Sequence, residues 1–164
     1  MTGSQAFYDI VFTPAFGLDP IVAAPPPLGN AQTNSIFPFD IAATSNDVIS
    51  VGASETGTNG PFHAFSNSLA TGVTSDLGAL GGAGATSFAY GISDDGSTIV
   101  GTSYVSTDMT GPTHAFRVGA DGVMTDLGSL AGSGGNSTAF AANGDGSVVV
   151  GQTTVSGGNQ HAFL

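Results

Sequence analysis

The sequence predicts an all-β fold made of small four-stranded antiparallel sheets that repeat about every fifty residues. Three observations predict it. Short motifs recur in a fixed order along the chain. Segments of β-prone residues alternate with Gly-containing turns. The chain is rich in Gly, Ser and Thr, which disfavour helices, because each Gly costs about 1 kcal/mol in a helix relative to Ala.

Three motifs set the repeat. His-Ala-Phe occurs at residues 63–65, 114–116 and 161–163, Gly72–Leu80 recurs as Gly122–Leu130, and Asp95–Gly101 recurs as Asp145–Gly151. Motifs that keep one order and one period indicate copies of a supersecondary unit. The residues that define the repeat are His63, Phe65, Asp76, His114, Phe116, Asp126, His161 and Phe163.

The middle copy shows the strands most clearly. Four strands are predicted at Ser87–Ser93, Ser97–Val105, Thr113–Val118 and Val123–Leu130, with Asp-Gly turns after the first and the third. Phe88, Tyr90 and Ile92 alternate along the first strand and are expected on one face. Four strands per unit is typical of a β-propeller blade, and kelch repeats are the nearest in length.

The chain divides into a partial repeat with a proline-rich spacer at 1–38, repeat 1 at 39–86, repeat 2 at 87–136 and an incomplete repeat 3 at 137–164. About three units are fewer than the roughly 4–8 blades of a propeller, so the alternatives to a closed ring are a segment of a longer array, an assembly of copies and an open blade array. Strands at the two ends would then offer unpaired edges, and the candidates for assembly are Gln5, Phe7, Phe12, His161 and Phe163.

Composition and charge argue against several classes of function. The chain carries one Lys or Arg against twelve Asp and Glu, a net charge of −11. Binding to nucleic acids and to anionic membranes needs cations, so neither is expected. There is no cysteine, which removes disulfides, zinc–thiolate sites and thiol catalysis. No apolar run approaches the roughly 20 residues of a membrane helix, and no membrane insertion is expected.

The His-Ala-Phe motifs, the segment at 123–130 and the Asp-Asp-Gly-Ser segment at 94–101 resemble the HAF repeat family of bacterial extracellular proteins. The resemblance covers roughly residues 39–164. It implies a propeller-like fold and a secreted or cell-surface location, and it carries no assigned activity. Family copies often have a Trp shortly after His-Ala-Phe, and this chain has no Trp.

Most candidate site residues have a structural interpretation. Each histidine occupies the same place in its repeat, so the three are not expected to converge on a metal. Asp94, Asp95, Asp121 and Asp145 lie in Asp-Gly turns, where turn chemistry explains them. Calcium binding by these turns is the alternative, although calcium takes about six to eight oxygen ligands. Asp76 and Asp126 are expected to cap a turn or to bind backbone N–H groups between strands.

Catalytic and ligand-binding candidates are few. Ser, His and Asp recur as scaffold residues, which argues against a catalytic triad. Glu55 and Asp108 are acids outside the repeated motifs and are the candidates for glycan hydrolysis. Tyr8 and Tyr104 are candidates for a sugar-binding or partner-binding face. The repeated phenylalanines, which are expected in the core, are Phe65, Phe88, Phe116, Phe140 and Phe163.

The sequence therefore predicts a secreted or cell-surface structural or interaction module. We expect it to be no enzyme, to need no cofactor and to self-assemble into a homo-oligomer or filament through open strand edges, or to contact a surface glycan or protein. The alternative is a carbohydrate-binding or glycan-hydrolysing propeller.

Overall fold

The computed structural model describes residues 35–57 and 59–164, and every regular element in this part of the chain is a β-strand. The strands form three antiparallel sheets of four, four and three strands, ordered β1-β2-β3-β4, β5-β6-β7-β8 and β11-β10-β9. The predicted all-β array of antiparallel sheets is confirmed, with four strands in two of the sheets and three in the last. Gln5, Phe7, Tyr8, Phe12 and the proline-rich spacer lie outside the described residues.

The strand bounds follow the predicted repeat. The first sheet contains β1 (Ile36–Ala43), β2 (Val48–Glu55), β3 (Phe62–Ser68) and β4 (Val73–Gly78). The second contains β5 (Ser87–Ile92), β6 (Ile99–Tyr104), β7 (Thr113–Val118) and β8 (Met124–Gly128). The third contains β9 (Ser137–Ala142), β10 (Val149–Thr154) and β11 (Gln160–Phe163). The first sheet begins at Ile36, before the boundary predicted at residue 39.

The first strand of every sheet carries a β-bulge. The register with the second strand shifts between Pro38 and Asp40, between Ala89 and Gly91, and between Ala139 and Ala141. The extra residue is aromatic each time, at Phe39, Tyr90 and Phe140. A bulge bends the strand and redirects its side chains.

The bulge in β5 overturns one sequence-based expectation. Strict alternation placed Phe88, Tyr90 and Ile92 on one face. In the structure Ile92 and Ala89 lie in the main core, while Phe88 and Tyr90 lie together outside it. The extra residue at Tyr90 breaks the period of two, so that the side chains on either side of it no longer follow a single alternation.

The sheets stack because the first strand of each lies across the preceding sheet. At the start of β5, Ser87 Oγ accepts a bond from the Ala64 N–H of β3 at 2.8 Å. At its end, Ile92 donates its N–H to Asp40 of β1 at 3.0 Å. The next junction repeats the first contact, since Ser137 Oγ accepts the Ala115 N–H at 2.8 Å. Hydrogen bonds, of which the two serine bonds are buried, therefore link consecutive sheets.

The core lies between the sheets and is built from small and medium side chains around two phenylalanines. Phe65 and Phe116, from the His-Ala-Phe motifs, are fully buried, as are Val51 and Val100. The expectation that all five repeated phenylalanines are core residues is only partly right. Phe140 is 48% exposed because it is itself the extra residue of the bulge in β9, and Phe88 is half-buried in β5, two residues before the bulge residue Tyr90.

Candidate functional site

In each four-stranded sheet, the histidine of the His-Ala-Phe motif is hydrogen-bonded to the aspartate of the second repeated motif. His63 Nδ1 lies 3.0 Å from both carboxylate oxygens of Asp76, and His114 Nδ1 lies 3.0 and 2.9 Å from those of Asp126. Each carboxylate also accepts a 2.7 Å bond from the glycine N–H two residues further on. The pair joins the third strand to the fourth at the point where their register shifts.

The geometry assigns these histidines a structural role. A carboxylate can only accept, so Nδ1 is the donor in each pair. The Nε2 atoms of His63 and His114 are buried and have no hydrogen-bond partner. The two pairs belong to different sheets, and within the described residues no three His, Asp or Glu side chains come close enough to hold a metal ion.

The third copy of the motif lies in a different setting. His161 is exposed on β11, an outer strand of the third sheet, where the described residues provide no fourth strand. Phe163, two residues on, is half-buried and packs against the second core cluster. The two strand-edge candidates from this end of the chain therefore lie on one outer strand, with only Phe163 anchored in the core.

An aromatic column of six rings, Phe37, Phe39, Phe62, Phe88, Tyr90 and Phe140, crosses all three sheets. The three bulge residues form its axis: the ring centroids of Phe39 and Tyr90 are 5.3 Å apart, and those of Tyr90 and Phe140 are 6.3 Å apart. Phe88 stacks on Tyr90 with their centroids 6.2 Å apart and their planes 5° apart. The column continues to Phe62 and Phe37.

The column is covered in the middle and open at its ends. Phe37 and Phe39 in the first sheet are each 47% exposed, and Phe140 in the third is 48% exposed. Tyr90, between them, is half-buried, and this burial raises the pKa of its phenol above the usual 10.0. The exposed apolar rings therefore lie at the two ends of the column, on the first and the third sheet.

Sequence reasoning missed this column. It grouped Phe88 with Phe140, which occupy different repeat positions, and treated both as core residues. The signal was present in the aromatic residues at equivalent positions of the three first strands, Phe39, Tyr90 and Phe140. What hid it is the bulge, which sequence periodicity does not reveal.

Three of the four aspartates predicted to lie in turns, Asp95, Asp121 and Asp145, accept hydrogen bonds from their own turns. Asp95 accepts bonds from the Ser93 hydroxyl at 2.7 Å and the Ser97 N–H at 2.9 Å, which lower the pKa of its carboxyl. Hydrogen bonds from Ser147 likewise lower the pKa of Asp145. Asp121 accepts the Val123 N–H. The carboxylates therefore accept hydrogen bonds within their turns, and calcium binding stays the alternative prediction.

The candidate acids for glycan hydrolysis are held in local contacts. Asp108 lies in the β6–β7 loop and accepts 2.8 Å bonds from the hydroxyls of Ser106 and Thr110, and these bonds, led by that of Thr110, lower the pKa of its carboxyl. Glu55, at the end of β2, accepts the Ser35 N–H at 3.1 Å. Tyr104 lines a pocket between the second and third sheets.

No family model and no curated protein matches this sequence. Among solved structures, the chain is similar to TolB from Acinetobacter baumannii, with 16% sequence identity and a TM-score of 0.47. The alignment covers 77% of this chain and 29% of the TolB chain, so this chain spans less than a third of the length of TolB. In the part of the chain that the structure describes, no helix has the length and apolarity to span a membrane.

Proposed function

We propose that this protein is a non-catalytic structural module of the bacterial cell exterior that assembles head to tail through its first and third sheets. The observation that carries the proposal is the aromatic column, whose two ends are exposed on the two outer sheets of the stack. A contact between the two ends of one molecule is heterologous, and it propagates into rings or filaments.

The stacking inside one molecule supplies the geometry for the contact between molecules. Tyr90 of the second sheet packs on Phe39 of the first, and Phe140 of the third packs on Tyr90. Phe39 of a second copy, placed on Phe140, would continue the same series. Aromatic pairs of this kind contribute about 0.5–1.5 kcal/mol beyond the area that they bury.

Exposed apolar side chains near the third sheet support the same contact. Leu77 and Leu80 pack against the core. Their repeat equivalents, Leu127 and Leu130, are 42% and 66% exposed and line a groove of about 740 Å³ that reaches β10 and β11. Burial of apolar surface contributes about 25 cal/mol per Å², so covering this region favours association.

Two features keep the proposed contact weak. Each copy carries a net charge of −11, so copies repel one another until salt screens them. In addition, Ile36 occupies the repeat position at which Ser87 and Ser137 bond to the preceding sheet. The contact between copies therefore lacks the serine hydrogen bonds of the internal junctions, and we expect reversible assembly that strengthens with salt.

The location outside the cell rests on the resemblance to the HAF repeat family. The low content of charged residues, with Gly, Ser, Thr and Asn supplying the polarity, is compatible with an exposed scaffold. The absence of enzymatic activity rests on the repeated, structural use of the histidines and aspartates. Both parts of the proposal are open to direct test by fractionation of the native host and by activity screening.

Assembly is tested by sedimentation velocity across protein and salt concentration. We expect the mean mass of the wild-type protein to rise with both. Phe140→Ser removes one end of the column and is expected to leave a monomer, while Val123→Ser, at another exposed apolar position, is the matched control and is expected to assemble normally.

Ile36→Ser supplies the missing hydroxyl and provides the sharper test. A new hydrogen bond of about 1 kcal/mol would lower the concentration needed for assembly roughly fivefold. A wild-type protein that stays monomeric at all concentrations and salt levels contradicts the proposal. Assembly of Phe140→Ser at the wild-type concentration contradicts the role of the column.

A further inference from the structure

A pocket of about 510 Å³ lies between the second and third sheets, which is within the range of small-molecule sites. The β6–β7 loop forms one wall, and the start of β9, the end of β10 and the start of β11 form the others. None of the described side chains that line it is charged. Its main polar groups belong to Tyr104, Thr113, Asn136, Thr138, Gln152 and Gln160.

The pocket exists because the repeat changes at two positions. In the junction between the first and second sheets, the equivalent space holds Phe62 and Phe88, whose rings stack with their centroids 6.2 Å apart. In the junction between the second and third sheets, Thr113 stands in the place of Phe62 and Thr138 in that of Phe88. Two small hydroxyl side chains replace two aromatic rings, and a space opens.

Other departures from the repeat converge on the same pocket. Asn136 replaces Thr86 and keeps its bond, accepting the Thr113 N–H at 2.9 Å where Thr86 accepts the Phe62 N–H at 3.3 Å. Gln152 on β10 stands where the second sheet has Thr102. The amides of Gln152 and Gln160 and the Tyr104 hydroxyl have no hydrogen-bond partner among the described residues.

The loop wall contains a strained residue. Met109 has a φ of 54°, in the left-handed region that bulky side chains rarely adopt, and its sulfur accepts a 3.2 Å contact from the Thr86 hydroxyl. Asn59, in the corresponding loop of the first sheet, has a similar φ of 58°, which asparagine tolerates more readily. Strain of this kind concentrates at ligand-binding sites.

We propose that this pocket binds one end of a neutral oligosaccharide. Side-chain amide and hydroxyl groups match the donors and acceptors of sugar hydroxyls, and the Tyr104 hydroxyl adds one further donor and acceptor at the edge of the pocket. The net charge of −11 and the absence of any cation among the lining side chains disfavour an anionic ligand. The proposal does not depend on head-to-tail assembly.

The test is calorimetric titration of the full chain with neutral oligosaccharides of glucose, xylose, mannose, galactose and N-acetylglucosamine. Oligogalacturonate serves as the anionic probe. We expect saturable binding of at least one neutral series and none of oligogalacturonate. The double variant Thr113→Phe/Thr138→Phe rebuilds the aromatic pair of the other junction, so it should fold normally and lose at least tenfold in affinity.

Two further variants keep the result unambiguous. Thr125→Phe changes an exposed threonine on β8, away from the pocket, and should bind like the wild type. Gln152→Ala removes one amide and should weaken binding severalfold while the thermal unfolding curve stays unchanged. Phe140→Ser, which tests assembly, is expected to leave the affinity of the monomer unchanged, so that failure of one proposal is distinguishable from failure of the other.

Three results would overturn the proposal: no neutral oligosaccharide binds, oligogalacturonate binds more tightly than the neutral series, or the doubly filled variant binds as tightly as the wild type. Binding retained by the filled variant would place the sugar elsewhere on the molecule, with the exposed aromatic column as the next surface to test.

Discussion

Replacing Gly101 with alanine tests the origin of the bulge that organises each sheet. A Cβ at this position would lie 1.9 Å from the Phe88 carbonyl oxygen and 2.9 Å from both Ala89 Cα and Phe116 Cζ. The first two are backbone atoms of β5, which cannot rotate away. The glycine is therefore needed for β5 to approach β6 at the bulge.

The clash with the β5 backbone indicates how much stability the Gly101→Ala variant should lose. Overpacking a core commonly costs about 1–3 kcal/mol, and a clash with backbone belongs at the upper end, with about 1 kcal/mol more for a broken ladder hydrogen bond. We expect Gly101→Ala to lower the free energy of unfolding by roughly 3–4 kcal/mol, a shift of about a few hundredfold in the unfolding equilibrium.

Urea denaturation followed by circular dichroism measures the change. The control is Gly134→Ala, at a glycine whose added Cβ meets no atom within 4 Å. We expect the control to lie within about 0.5 kcal/mol of the wild type. If Gly101→Ala unfolds within 1 kcal/mol of the wild type, the close approach of the two strands is not what requires glycine, and our explanation of the bulge is wrong.

Three further predictions concern the side chains. Asp126→Asn removes the carboxylate that accepts the bond from buried His114, and it should lower the free energy of thermal unfolding by about 1–2 kcal/mol. The control Asp121→Asn, in a turn, should leave the stability nearly unchanged. Equal effects of the two substitutions would argue that the His114–Asp126 bond does not stabilise the sheet. Because the pKa of Asp95 is lowered in the folded state, its stabilisation is complete above the unfolded value of 3.8 and is lost as the pH falls through the folded pKa. Asp95→Asn should reduce the dependence of unfolding on acid, and an unchanged pH profile would contradict this. Because burial raises the pKa of Tyr90 above the usual 10.0, ultraviolet titration should show a phenol transition on the alkaline side of that value that is absent in Tyr90→Phe. The stability that the buried phenol provides is lost as the pH rises through its folded pKa.

In the second sheet, local sequence alone predicts the strands and their bounds closely. Thr113–Val118 is predicted and observed with the same bounds, and the other three strands of that sheet differ from prediction by a few residues at their ends. Asp-Gly turns and short β-prone segments specify a hairpin through neighbouring residues alone, which is why this part is readable without the fold.

The candidate sites were less predictable, because they depend on contacts between distant residues. The repeated His63 and Asp76 were recognised as scaffold residues, but nothing in the spacing showed that they bond to each other. Asp108 and Glu55 stood out as unrepeated acids. The structure instead draws attention to unrepeated neutral residues, Thr113 and Thr138, whose significance lies in the aromatic rings that they replace.

The sequence by itself determined the repeat, the strands and their turns, because these follow from side-chain alternation and from the backbone freedom of a few turn residues. Only the tertiary structure decided which face each side chain takes. A bulge depends on a glycine in the partner strand, so one extra residue redirects every side chain beyond it. The aromatic column and the pocket arise between sheets, where the packing of two repeats, rather than the sequence of either one, determines what is filled and what is open.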